Sequence, residues 1–396
     1  MVPHLPRTGA ALAALGLLLA GCTSSGGSAA PAPAQAGSST PAPTSPKPSV
    51  APVEGAPTTG IPPALDPSDL YAADRPGLLS AQARTARSLV YVPNSNDNTV
   101  TVIDPRTYRV LRTVRTGRLP QHVTPSYDEK VLWVDNDLGN SLTRIDPKTG
   151  SLGRTVPVDD PYNLYFTADG RHAVVVAEQR RRLDFRDPQT MKLQHALKVP
   201  CSGVDHMDFS ADGTHALVSC EFGAKMIWVD MQRQKVVKSL ALRPGSMPQD
   251  VKTSPDGKVF YVADMTGAGV YLIDARTIRV IGFLHTGSNA HGIYVSRDSK
   301  TLYVTNRLGH SVSLVDVATR KVRDTWPIPG GTPDMGGVSS DGKTLWLSGR
   351  YTSEVYAIDT ANGHLRARIP VGRGPHGLCI WPQPGRYSLG HNGVLR

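Results

Sequence analysis

The stretch TLYVTNRLGHSVSLVDVATRKVRDTWPI, Thr301–Ile328, decides the fold. It opens on a short apolar run, LYVTN at 302–306, turns through RLGH, alternates apolar and polar residues in SVSLV, stops at Asp316 and resumes as KVRDTWPI. Period-two alternation bounded by Gly, Asn, Asp and Pro is the pattern of strands joined by tight turns. The unit recurs along the chain. An Asp follows an alternating strand at Asp104, Asp146, Asp187, Asp230, Asp274, Asp316 and Asp359, at spacings of 42, 41, 43, 44, 42 and 43 residues. Four short strands per repeat of about forty residues make a propeller blade, so seven repeats predict an all-β, seven-bladed β-propeller. Each repeated carboxylate can accept backbone N–H groups in the turn after its strand, which makes these seven residues turn formers rather than catalytic acids.

With the blade strands lettered A to D from the axis outward, the first repeat begins on a B strand, Ser88 to Pro93, and the chain ends on an unpaired A strand, Gly377 to Trp381. The C-terminal segment is therefore expected to complete the blade that the N-terminal segment starts, leaving no open sheet edge in the ring.

LYVTN at 302–306, YVPN at 91–94, WVDN at 133–136 and SPDGK at 254–258 resemble the YVTN-repeat family of β-propellers, over roughly Ser88 to Arg386. GVDHMDFSADG, MPQDVKTSPDGK, HGIYVSRD, PDMGGVSSDGK and the ending GPHGLCIWPQPGRYSLGHNGVLR are similar to actinobacterial surface lipoproteins of that family. The resemblance implies the propeller and leaves function open. Such propellers include binding and surface proteins, and their structural relatives include metal-dependent oxidoreductases and lactonases.

Residues 1–21 carry Arg7 and an apolar run from Ala10 to Leu19, the pattern of an export signal. Leu19-Ala20-Gly21-Cys22 resembles a bacterial lipobox, which makes Cys22 the lipidated first residue of the mature chain, held in the membrane by its acyl chains. Residues 22–63 are rich in Pro, Ala, Ser and Gly, too poor in large apolar residues to fold, and are expected to form a disordered tether. Residues 64–87 read as a docking segment, 88–386 as the propeller and 387–396 as a tail expected to cap the closing blade. The expected location is extracytoplasmic, anchored to the bacterial cell membrane. The net charge of +10 falls to +9 without Arg7 and is scattered over the repeats, Arg180–Arg182 being the one tight run. Diffuse positive charge suits an anionic envelope surface; it predicts no nucleic-acid partner, and the chain reads as a monomer.

Aligning the repeats places Gln121, Tyr162, Asp205, Gln249, His291, Asp334 and His376 at the starts of the A strands, with His122, Asn163, His206, Asp250, Gly292, Met335 and Gly377 after them. The B strands are expected to end at Asn94, Asn136, Glu178, Glu221, Asp264, Asn306 and Gly349. Antiparallel pairing brings both sets to one face of the ring. The candidate ligand-binding residues at this channel mouth are His122, Asp205, His206, Asp250, His291, Asp334 and His376. The candidate metal ligands are His206, His291, His376, Asp205, Glu221 and Asp264, a donor set suited to a divalent metal or copper, and Arg350 is expected to pair with Asp334. Cys201, in the loop entering the strand that carries His206, and Cys220, on the neighbouring strand, are expected to lie close, as a disulfide in an exported protein or as thiolate ligands to copper with His206; Cys379 reads as a core residue.

No GxSxG elbow, phosphate-binding Gly loop or HExxH motif is present. The sequence thus favours a non-enzymatic binding propeller, engaging an envelope protein, wall polymer or small ligand. A metal-dependent envelope enzyme, oxidoreductase or lactonase-like, is the alternative.

Overall fold

The computed structural model describes residues 60–391 and 395–396. The export signal, Cys22 and the tether as far as residue 59 lie outside the described residues. The described strands form seven four-stranded antiparallel sheets, each running outward from an inner A strand. Six blades are continuous in sequence: blade II starts at Pro120, III at Asn163, IV at Val204, V at Pro248, VI at Ala290 and VII at Pro333. Blade I is composite. Its B, C and D strands are Leu89–Asn94, Thr99–Asp104 and Arg109–Arg115, and its A strand is Cys379–Trp381, paired as Leu89 with Trp381 and Tyr91 with Cys379.

The repeated Asp residues do what their position demands. Asp104 accepts the N–H of Arg106 at 2.9 Å, Asp146 that of Lys148 at 2.8 Å, and Asp187, Asp230, Asp274, Asp316 and Asp359 each accept turn N–H groups in the same way. The A–B turns carry a second device: Ser254 Oγ donates to Asp256 at 2.6 Å and accepts the N–H of Val259 at 3.0 Å, while Gly257 takes the left-handed φ of +69°.

A, B and C strands are almost wholly buried, and D strands alternate between exposed and half-buried residues as the outer rim must. Apolar side chains from adjacent blades interlock. At the closure, Val90, Val92 and Ile103 of blade I pack with Trp346, Val355 and Ile369 of blade VII and with Leu378 and Ile380. Fully burying one such side chain stabilises by ~1.5–3 kcal/mol, so the three-residue A strand is held by packing as much as by its ladder.

One face of the ring is covered. Residues 60–84 run across the A–B turns: Ile61 packs near Gly213 of blade IV, the Leu70 N–H donates to Pro255 O of blade V at 2.8 Å, and Pro76 lies near Gly342 of blade VII. Beneath this segment Asp74 pairs with Arg297 at 3.6 Å, and burial pushes its carboxyl up to about 8. The tail meets the closing blade through Leu395, which packs with Leu89, Tyr91, Cys379 and Trp381, and it also runs along blades II and III. Ser388 donates its N–H to Tyr127 O, the Phe166 N–H donates to Leu389 O at 2.9 Å, and the His391 N–H donates to Leu164 O. The tail therefore lies against the free inner edge of blade III's A strand, which is the channel side.

Candidate functional site

The opposite face is the channel mouth, and its geometry starts from a bulge. In blades II, IV, V, VI and VII the A–B register slips by one residue at the start of strand A, as between Pro120 and Val123 or between Val204 and Met207. A bulge re-aims side chains that strict alternation would send to opposite faces. It also leaves a backbone N–H without a ladder partner, and a B-strand hydroxyl fills that role in three blades: Ser219 Oγ accepts from His206 at 3.0 Å, Thr305 from Gly292 at 2.8 Å and Ser348 from Met335 at 3.2 Å. Ser219→Ala is expected to cost ~1–3 kcal/mol in a denaturant titration, because it strands a buried donor; a loss below ~0.5 kcal/mol would show that the bulge is satisfied otherwise.

Five imidazoles meet on the axis. His122 is 4.0 Å from His391, 4.9 Å from His376 and 5.6 Å from His206, ring centre to ring centre; His291 is 5.8 Å from His376 and 6.2 Å from His206. Gly377 makes room for this, since a Cβ there would fall 2.0 Å from His122 Cδ2. The rings divide into two groups. His376 Nδ1 lies 2.7 Å from Asp334 Oδ2, and His291 Nδ1 3.1 Å from Asp334 Oδ1. Arg307 donates to the same Oδ1 at 2.5 and 3.0 Å. In the other group, His122, His206 and His391 each present a ring nitrogen, the three within 4.8 Å of one another. His206 Nδ1 is 2.6 Å from Asp205 Oδ1, too poorly aligned for a hydrogen bond.

Burial governs the charges. Burial, reinforced by neighbouring cations or imidazoles, holds His122, His291, His376 and His391 well below the usual histidine range. For His206, burial is outweighed by Asp205, Asp250 and Glu221, which raise it. Burial also opposes the Asp334 charge, yet Arg307, His291 and Arg350 hold that carboxyl below its ordinary value.

One expected metal ligand, Asp264, and one expected ligand-binding residue, Asp250, stand apart. Asp264 Oδ1 accepts the Met247 N–H at 2.8 Å and its Oδ2 faces Arg243 at 3.5 Å, so it ties down a loop. Asp250 accepts the N–H groups of Val251 and, across to blade VI, Ile293 at 2.8 Å, bracing neighbouring A strands as Asp208 does through Thr253. Arg350 reaches Ser95 Oγ at 3.1 Å and Gly374 O at 3.2 Å; the hydrogen-bonded ion pair with Asp334 is made by Arg307. The B strands of blades III and IV end at Ala177 and Cys220, one residue before Glu178 and Glu221. Cys201 and Cys220 are joined by a disulfide, S–S 2.14 Å, which sets aside the copper–thiolate alternative.

That one-residue correction exposes the mouth's charge pattern. The position after each B strand holds Ser95, Asp137, Glu178, Glu221, Met265, Arg307 and Arg350 in blades I to VII. Acids occupy blades II to IV and arginines blades VI and VII. Burial and mutual repulsion push Asp137 to about 7, Glu178 to about 8 and Glu221 to about 7, with Asp160 beside Asp137 also raised by burial.

The sequence profile of the YNCE-like β-propellers matches residues 54–384. The chain belongs to that family. No curated protein matches it in sequence. Among solved structures, the YNCE-like propeller is similar to the periplasmic gluconolactonase of Pseudomonas aeruginosa, with 19% identity, a TM-score of 0.62, and 75% of this chain and 99% of that one covered. It is similar also to the hydrazine synthase of Kuenenia stuttgartiensis, with 19% identity, TM-score 0.60 and coverage of 70% and 94%. A dihydro-heme d1 dehydrogenase aligns with 17% identity, TM-score 0.57 and coverage of 80% and 78%. At such identities the likeness carries the fold alone. The site of this YNCE-like propeller is argued from its own residues.

Proposed function

We propose that this YNCE-like propeller is an exported binding protein of the YVTN-repeat, actinobacterial lipoprotein type. In this reading Cys22 anchors it to the bacterial cell membrane, residues 22–63 tether it, and its mouth takes a small amine-bearing ligand of the envelope. The observation that carries the binding reading is the split mouth: three acids in adjacent blades facing two arginines across the axis. Asp137 is buried and Glu178 and Glu221 half-buried; they repel one another and are held partly protonated, so a ligand ammonium would relieve a cost that solvent does not. A ligand carboxylate would lie toward Arg350, whose recorded hydrogen bonds go to neutral oxygens.

The test is calorimetric titration of the soluble domain with spermidine, L-arginine and gluconate. The two amines should bind, with at least tenfold loss in the Glu178→Gln/Glu221→Gln pair, and gluconate should not. Failure of both amines, or binding that ignores the pair, would sink the reading. In cells, Cys22→Ala should move the protein from the membrane fraction to the medium. A second reading, a metal-dependent oxidoreductase or a lactonase-like envelope enzyme, is favoured by the buried histidines. Turnover of a sugar lactone that His206→Ala abolishes would put its hydrolase form ahead.

A further inference from the structure

We infer that His122, His206 and His391 form a transition-metal site for Zn²⁺ or Cu²⁺ on the propeller axis, beneath the acids of the mouth and independent of what the mouth binds. Three observations meet here. The side chains are 0, 0 and 1% exposed, yet His122 Nε2, His206 Nε2 and His391 Nε2 have no hydrogen-bond partner among the described residues. Buried polar atoms are ordinarily paired, because leaving one bare costs ~1–3 kcal/mol. A cluster of bare imidazole nitrogens converging on one point is therefore a cost with a purpose, and a metal ion supplies the missing partner for all three at once.

The outer contacts are those a metal-binding histidine uses. His122 Nδ1 lies 2.8 Å from Tyr162 O, so the proton sits on Nδ1 and the Nε2 lone pair is left for an ion. Asp205 Oδ1, 2.6 Å from His206 Nδ1, fixes that ring in the same tautomer once the two align. Ligating histidines commonly give their second N–H to a carbonyl or a carboxylate, which orients the ring and raises its basicity. A tetrahedral ion with Zn–N bonds of ~2.0–2.1 Å holds its ligands about 3.3 Å apart, so the nitrogens, now within 4.8 Å of one another, close by small ring rotations. Three neutral nitrogens select borderline metals over Mg²⁺ or Ca²⁺, which prefer oxygen. A fourth position stays open for water or a ligand.

The third ligand comes from the tail. His391 lies outside the repeats and reaches the axis because Leu389 and His391 bond to blade III. A purely structural histidine ring would need none of this.

The experiment uses the full soluble domain, purified without an affinity metal, stripped with chelator, then dialysed with Zn²⁺ or Cu²⁺ and measured by elemental mass spectrometry and X-ray absorption. One equivalent per chain with about three nitrogen neighbours near 2.0 Å is expected. His391→Asn and His206→Gln should each weaken affinity at least tenfold, with the circular dichroism unchanged. His391→Asn changes only the tail, so it keeps the test open if His206→Gln does not fold. Binding below a tenth of an equivalent, or one equivalent that persists unchanged in His391→Asn, overturns the site; loss in His291→Gln with His391→Asn unaffected would place the metal on the Asp334 group and overturn it equally.

Discussion

Removing residues 387–396 is expected to destabilise the propeller by on the order of 5 kcal/mol, a large part of what holds a domain folded. Leu389 and Leu395 are 1 and 0% exposed, and Tyr387 stacks on Tyr127 at 5.1 Å. Each large apolar side chain returned to water costs ~1.5–3 kcal/mol, and the tail's absence also bares surface on blades II and III. Arg396, whose guanidinium lies over the Tyr71 ring and 3.4 Å from Asp208, adds a buried ionic contact. The midpoint of a urea titration reads the effect. A truncated chain with an unchanged midpoint would mean that the tail merely rests in the channel.

The second large effect is on pH. In the metal-free protein, stability should be greatest at mildly acidic pH, between about 4.5 and 6.5, and fall on both sides for different reasons. Asp74, Asp137, Glu178 and Glu221 have folded pKa values of about 8, 7, 8 and 7, above their unfolded values. Between those limits the folded state binds more protons, so stability declines as pH rises through 7 and 8. The four histidines held well below their usual value act oppositely. Below ~6.5 the unfolded chain takes up protons that the folded chain refuses, at ~1.4 kcal/mol per pH unit per group. Between ~6.5 and ~4.5 the four acids and the four histidines roughly offset one another; below ~4.5 the histidines act alone, and the acid limb begins there. The turn aspartates, held below 3.8, do not enter this window. Melting temperature against pH checks this: Glu178→Gln/Glu221→Gln should flatten the alkaline limb and move the onset of the acid limb up toward about pH 6.5. A monotonic curve would refute the assignment.

The fold was legible because the repeat is written in residues whose job is local. Asp104 or Asp316 ends a strand by accepting the N–H two or three residues further on, so spacing alone counts the blades. His122, His206, His291 and His376 were legible for the same reason, as they fall at two adjacent positions of the repeat. What the sequence hid was the register at the strand ends. The mouth ring lies one position later than expected in five blades, as at Asp137, Arg307 and Arg350, and holds Glu178 and Glu221 where they were expected. Asp264 carries the right chemistry at the wrong register, and a neighbouring loop takes it. His391 belongs to no repeat. Its one sequence signal was a tail too apolar, with Tyr387, Leu389 and Leu395, to be left in water.

The composite blade also sets an order of events. Six blades have all their strands close together in sequence, so each can form from local hairpins as soon as it is available. Blade I has to wait for Cys379–Trp381, which come after every other strand of the ring. Until then the B strand of blade I offers a bare inner edge and the Trp346 face of blade VII lacks its cover, which are the features that invite pairing with another copy. Cys379–Trp381 thus act as a time lock: the ring cannot seal before they are present, and the axis acquires its fifth histidine, His391, only after them.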